Sequence, residues 1–218
     1  MQRGNIASSG SAATNIDCTF CQYDNLTPYI LTETTNFYLV TDHAPLVEGH
    51  LLIIPKDHFP CYGDVPLSLD TELFMLKGIV QRFFARYYTA PIFWEHGIFR
   101  QTVYHAHLHC FPFGALHYSE TEQLHACILH SQEELREWYS KHGHYFYLED
   151  SRYTLLFPPQ LDRYYMVIRD VVYPGAAPYL GHTGWRSPQQ RFEAGKSLIQ
   201  STILKWQNFD KEEAHYAN

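Results

Sequence analysis

The chain has 218 residues, 45% hydrophobic and 16% aromatic, with a formal net charge of −7. That apolar content excludes wholesale disorder and supports a sizeable core, in one domain with an extension or two small lobes. The acidic balance argues against duplex nucleic acid as a partner, and no apolar run approaches the roughly 20 residues needed to span a bilayer.

Residues 1–15 are rich in Ser, Ala, Gly and Asn, lack the apolar centre of a signal peptide, and read as a flexible leader. The five cysteines are an odd number, and only Cys18 and Cys21 are closely spaced. This pattern suits a reducing, cytoplasmic compartment with one metal clip better than a disulfide scaffold. Residues 36–40 and 49–55 are apolar runs of strand length, separated by the turn signal Asp42-His43-Ala44-Pro45. Over 69–89, Leu73, Leu76, Val80, Phe83, Phe84 and Tyr87 repeat with helical period, with Asp70 placed to cap. Residues 90–94 and 101–111 read as strands, with 95–100 as a loop between them. Residues 120–141 are polar and helical, with a capping box from Ser119 to Glu122. Residues 145–149 and 153–157 suggest a hairpin, 160–172 a helix, 173–188 a Pro/Gly-rich loop, and 189–206 a closing helix. Short strands followed by helices predict an α+β fold with an antiparallel sheet.

The central feature is Tyr104-His105-Ala106-His107-Leu108-His109-Cys110-Phe111. In a strand, side chains alternate, so His105, His107 and His109 would share one face, with neighbours about 7 Å apart. One histidine here would be ordinary packing; three in a row suggest chemistry. Two chemistries fit: zinc binding, with a ligand from elsewhere, or nucleophilic attack by a neutral imidazole on phosphorus, assisted by its neighbours.

The pattern His105-Ala-His107-Leu-His109-Cys-Phe111, prefaced by Gln101-Thr102-Val103, resembles the His-φ-His-φ-His-φ-φ signature of the histidine-triad (HIT) family of nucleotide hydrolases and transferases. Gly49-His50 followed by Leu51-Leu52-Ile53-Ile54-Pro55-Lys56 matches that family's second motif. The resemblance runs over about residues 18–112. It implies a HIT-like antiparallel sheet with helices packed on it. It divides the chain into a leader (1–15), a HIT domain (16–115) and a C-terminal α/β extension (116–218). It further implies that His107 attacks the α-phosphorus of a nucleotide, His109 binds the phosphate, and His105 fixes the His107 tautomer through its carbonyl. His50 would complete the histidine set, Gln101 and Thr102 would contact phosphate or leaving group, and Asp42 would accept from the ribose hydroxyls.

Cys18-Thr-Phe-Cys21 alone reads as redox or metal-binding, and the βαβ context of a redox pair is absent. Some HIT proteins complete a structural zinc site from such a pair. The positions matching theirs are His58 and His105, giving Cys18, Cys21, His58 and His105. The chain departs from the commoner pattern at Trp94-Glu95-His96-Gly97, where Glu95 and His96 would either assist proton transfer or form a plain loop. In the tail loop that also holds His182, Trp185 and Arg186 would stack on a base or pair with a phosphate, or else Trp185 packs under the loop and Arg186 is a surface charge. The tail would cover the site, or occupy the surface through which simpler members form homodimers.

The expected function is cleavage at the α-phosphate of a nucleotide conjugate, such as a phosphoramidate or dinucleoside polyphosphate, through a nucleotidyl-histidine. The alternatives are a metal-dependent hydrolase with the triad as ligands and a nucleotide-binding sensor with weak catalysis.

Overall fold

A computed structural model describes residues 17–114, 126–161, 165 and 188–216. The leader, the 119–122 capping box, most of the 160–172 helix, residues 173–187 of the expected loop and with them His182, Trp185 and Arg186 lie outside the described residues. Within them, eight strands form one antiparallel sheet in the order β1-β2-β3-β5-β4-β7-β8-β6. The strands are β1 (Ile30–Glu33), β2 (Phe37–Thr41), β3 (Leu51–Pro55), β4 (Ile92–Glu95), β5 (Leu108–Phe111), β6 (Cys127–Ile128), β7 (Phe146–Glu149) and β8 (Thr154–Phe157). The helices are α1 (Tyr23–Leu26), α2 (Asp70–Tyr87), α3 (Gln132–His142) and α4 (Pro188–Tyr216). The expected boundary between residues 115 and 116 falls between β5 and β6, and strands from both sides share the sheet.

β3 is buried along its whole length because both of its faces are covered. Leu51 and Ile53 join Leu76, Val80, Phe83 and Phe84 of α2, while Leu52 and Ile54 pack with Cys18, Phe20 and Leu26 of the N-terminal segment. The same alternation governs β5: Leu108 and Cys110 face α2, so His109 and Phe111 must face the other way. α4 crosses to the α2 side at its C-terminal end, where Trp206 and Phe209 meet Phe83 at ring centroid distances of 5.0 and 5.5 Å.

Two local expectations need correction. Asp70 does not cap α2; it is the helix's first residue, and its carboxylate pairs with Arg136 of α3. The strand expected over 101–111 starts only at Leu108. Before that, the backbone bonds locally and to the preceding loop: His105 N–H donates to Val103 O at 2.8 Å and Ala106 N–H to Phe59 O at 2.6 Å. α3 ends as its residues dictate, with Ser131 as N-cap accepting from Glu134 N–H and Gly143 left-handed at the C-terminus.

Candidate functional site

His109 enters the site from β5, and His50 from the residue preceding β3. His50 shares the parity of Leu52, which is the partner of His109 across the sheet, so both imidazoles lie on the face away from α2. His50 Nδ1 accepts from Leu46 N–H at 3.3 Å, which places the proton on Nε2. Nε2–H then donates to His109 Nδ1 at 3.0 Å, and His109 must carry its proton on Nε2. Phe111 stacks on His50 with centroids 4.3 Å apart and holds this pair in orientation.

His107 is 6% exposed, and its Nδ1–H donates to the carbonyl of His105 at 2.7 Å. A carbonyl only accepts, so the His107 lone pair lies on Nε2. Its ring is 4.9 Å from that of His109. The outcome is two adjacent imidazoles of opposite character: Nε2 of His107 offers a lone pair, and Nε2 of His109 offers a proton. Burial lowers both below the ordinary imidazole range, so both rings are neutral at neutral pH. Burial also lowers His50 to about 4, against the opposing pull of Asp42.

His105 departs from the row. Its Nε2–H donates to Pro55 O at 2.8 Å, turning Nδ1 toward Cys18 and Cys21, with both sulfurs at 3.5 Å. His58 Nδ1 lies 3.3 Å from Cys21 Sγ, and the four ligand atoms are all within 4.8 Å of one another. A tetrahedral zinc with bonds of about 2.3 Å to sulfur and about 2.0 Å to nitrogen separates S from N by roughly 3.5 Å, so this donor set fits. The Pro55 carbonyl supplies the outer hydrogen bond that orients a ligating histidine. The expected shared face therefore holds for His107 and His109 only; His105 side chain and carbonyl serve different centres.

Other expected residues divide. Asp42 follows β2 directly; Oδ1 closes an Asx turn on Ala44 N–H at 2.7 Å, and Oδ2 lies 3.6 Å from His50 Nε2. Asp42, His50 and His109 form a second compact donor set. Gln101 is buried and turned onto backbone: its Oε1 accepts from Ile98 N–H, and its Nε2 lies within reach of the carbonyls of Pro60, Val103 and His105. It supports the carbonyl that fixes His107, across a loop where Gly97, Ile98 and Arg100 have positive φ. A side chain at Gly97 would run into the Tyr145 ring, so glycine is required there. Thr102 is exposed.

His96 lies beside the triad, its ring 5.8 Å from that of His109. Glu95, with the parity of Phe93, points through the sheet into the α2 core, 1% exposed, and accepts from Tyr62 N–H and Tyr145 OH. Burial pushes its carboxyl from the ordinary 4.5 up to about 7, outweighing those two donors. Its proton is thus held more tightly in the folded state between these values, and unfolding free energy falls as pH rises through that window, by about 3 kcal/mol. Denaturant unfolding at about pH 5 and about pH 8 should show this loss in the wild type, and Glu95→Gln should remove it. An identical pH dependence in both proteins would refute it.

Sequence reasoning missed Phe20. Lying between the two cysteines, it presents its ring edge-on to His107 at 5.3 Å and to His105 at 5.9 Å. Its position inside Cys-x-x-Cys was the available signal.

A family model described as "Protein similar to CwfJ C-terminal" matches residues 8–126. No curated protein matches the chain. Among solved structures, it is similar to a hypothetical histidine triad nucleotide-binding protein from Sulfolobus tokodaii, at 23% identity and a TM-score of 0.40 over 57% of this chain and 93% of that one. A HIT family protein from Bacillus anthracis aligns at 20% identity and a TM-score of 0.41 over 60% of this chain and 96% of that one. A Zn-bound histidine triad family protein from Mycobacterium smegmatis aligns at 25% identity and a TM-score of 0.39 over 58% and 95%. No described helix is long and apolar enough to cross a membrane. Matched by the family model over more than half its length and carrying the His105-x-His107-x-His109 row, the chain belongs to the family of proteins similar to the CwfJ C-terminal region and is a histidine-triad protein.

Proposed function

We propose that the chain is a nucleotide hydrolase or nucleotidyltransferase acting at the α-phosphate of a nucleotide conjugate. The observation that carries this reading is the 2.7 Å hydrogen bond from His107 Nδ1–H to His105 O, which leaves the Nε2 lone pair for attack. That lone pair forms a P–N bond as the bond from phosphorus to the leaving group breaks, and the electron pair departs with the leaving group. His109 Nε2–H donates to a phosphoryl oxygen as negative charge develops there, its orientation fixed by His50. Asp42 accepts from the ribose hydroxyls, and the exposed Thr102 contacts the phosphate or leaving group. Gln101 acts as a positioning residue through the His105 carbonyl. A water oxygen, or another acceptor, then attacks phosphorus. The P–N pair returns to Nε2, the water proton passes to solvent, and the mononucleotide leaves.

Cys18, Cys21, His58 and His105 would hold zinc. Bound there, it supplies a structural cross-link between the N-terminal segment and the residues leading into β5. The metallohydrolase alternative is disfavoured because the triad rings do not converge: His105 Nδ1 belongs to the cysteine pair and His107 Nδ1 to a carbonyl.

The test is intact mass after brief incubation with adenylyl and guanylyl compounds, quenched in alkali because phosphorus–nitrogen bonds are acid-labile. A nucleotide-sized adduct is expected. Neither adduct nor turnover with any compound would overturn the reading.

A further inference from the structure

We propose that Thr202 and Glu48 are positioning residues for His109. They clamp α4 onto the turn at residues 44–49, and that turn decides which nitrogen of His50 carries the proton that directs the donor edge of His109 at phosphate. The C-terminal helix is thereby a working part of the histidine centre. This deepens the nucleotidyl-transfer reading and rests on it.

The turn lies between β2 and β3 and closes on itself. Asp42 N–H donates to His50 O at 3.0 Å, and His50 N–H donates to Val47 O at 3.3 Å. Within it, Leu46 N–H is the donor that holds His50 Nδ1 as an acceptor, at 3.3 Å. That length is at the long end for such a bond, so a shift of a few tenths of an ångström breaks it. Without it, the relay between the two histidines reverses at little cost. His50 then carries its proton on Nδ1, His109 donates from Nδ1 to His50 Nε2, and His109 Nε2 turns a lone pair instead of a proton toward a phosphoryl oxygen.

α4 fixes the turn from outside. Gly195 and Thr202 are seven residues apart and share one face of the helix. A side chain at Gly195 would run into the ring of Pro45, so helix and turn touch there. Thr202, 2% exposed, donates its hydroxyl proton to Leu198 O at 2.8 Å, which leaves an oxygen lone pair for Gly49 N–H at 3.0 Å. Glu48 Oε1 accepts from Lys205 Nζ at 2.6 Å, Ser201 Oγ at 3.0 Å and Tyr88 OH at 3.0 Å. Burial works to raise the Glu48 carboxyl, but these three donors outweigh it and hold it below the ordinary 4.5, so the group is charged at neutral pH. Toward its C-terminal end α4 packs by apolar contact, with Trp206 and Phe209 on Phe83. At the turn it instead makes directional bonds, and they fall on the two residues immediately before His50. The His107 tautomer depends on a different element, the His105 carbonyl braced by Gln101. The two halves of the centre therefore respond separately.

The experiment reads the tautomers directly, by nitrogen NMR of the imidazole rings in the full chain, with signals assigned from single-histidine variants. It also follows adduct formation with the adenylyl and guanylyl compounds. Thr202→Val keeps the side-chain volume and removes both hydroxyl bonds. It is expected to bring in the Nδ1–H form of His109, to leave His107 as Nδ1–H, and to slow adduct formation by about ten- to hundredfold. Thr202→Ser should restore both readouts, and Glu48→Ala should move them in the same direction as Thr202→Val. In a His109→Ala background, Thr202→Val should cost less than about threefold, because the group it positions is gone. Phe209→Leu, a control at the apolar end of α4, should lower the melting midpoint without moving either tautomer. A folded Thr202→Val that keeps His109 as Nε2–H and forms adduct within about threefold of the wild-type rate would overturn the proposal. An undiminished loss in the His109→Ala background would overturn it too, by reducing Thr202 to a stability role. Should Thr202→Val fail to fold, Glu48→Ala carries the same comparison. Tautomers that shift as expected in a protein that forms no adduct uphold the clamp and overturn nucleotidyl transfer.

Discussion

His107→Ala is expected to abolish the nucleotidyl adduct and to lower kcat by about 10⁴-fold or more. The magnitude follows from what is lost. With His107 gone, a substrate still meets His109 Nε2–H and Asp42, so binding and some charge stabilisation survive, but no group supplies the electron pair at phosphorus. KM should therefore move far less than kcat, which separates loss of the nucleophile from loss of the pocket. His109→Ala should behave differently. It removes one donor to the developing charge and should cost about 10²–10³ in kcat, with the adduct still detectable at longer times. Rapid-quench kinetics with alkaline mass analysis distinguish the two. If His107→Ala kept its adduct, the covalent centre would lie elsewhere, and the tautomer argument built on the His105 carbonyl would fail.

The second large effect concerns the metal. The purified chain is expected to carry one equivalent of zinc per molecule, and replacing Cys18 and Cys21 together by serine is expected to remove it. The cluster ties a short helical turn (Thr19–Cys21) to His58, in the loop after β3, and to His105, ahead of β5. Without metal, two thiols and two imidazoles remain crowded together with no ion to bind, and Leu26, Phe20 and Cys18 lose their anchor on Leu52 and Ile54. A loss of at least about 3 kcal/mol would lower the melting midpoint by roughly 6–12 °C for a chain of this size. Metal analysis and thermal unfolding, with and without chelator, check it. Catalysis should suffer as well, because Phe20 forms a wall beside His107 and the carbonyl that orients His107 belongs to a ligand residue. A wild type free of metal, with a melting midpoint unmoved by the substitutions, would reduce the four residues to an empty reduced cluster.

Whatever depends on spacing along the chain was readable beforehand. The period of Leu73, Leu76, Val80, Phe83 and Phe84 does bury one face of α2, and the hairpin of β7 and β8 sits around Asp150 and Ser151 as its turn residues suggested. The histidine row and the cysteine pair were also legible, because both are local patterns in the sequence. β1 passed unnoticed, since Ile-Leu-Thr-Glu is short and only half buried, and gains its definition by pairing with β2.

What only the tertiary structure decided concerns which surfaces meet. The row of histidines splits because residues 101–107 bond to the loop at 59–60 instead of extending β5, and this sends His105 to the cysteines while His107 stays with His109. Glu95 and His96 adjoin in sequence and point to opposite faces, Glu95 into the α2 core with Phe93 and His96 beside the triad, and only the packing shows which face holds which. Gln101, read as a contact to phosphate or leaving group, spends its amide on the carbonyls of Pro60, Val103 and His105, which the fold gathers around it from two separate segments. Arg191, whose Nε–H donates to the carbonyl of Ala44, lies 147 positions from it in the chain, and no periodicity links them. They come together because α4 must cover the 42–49 segment, and burial against a distant partner is written in shape complementarity, which a linear pattern does not record.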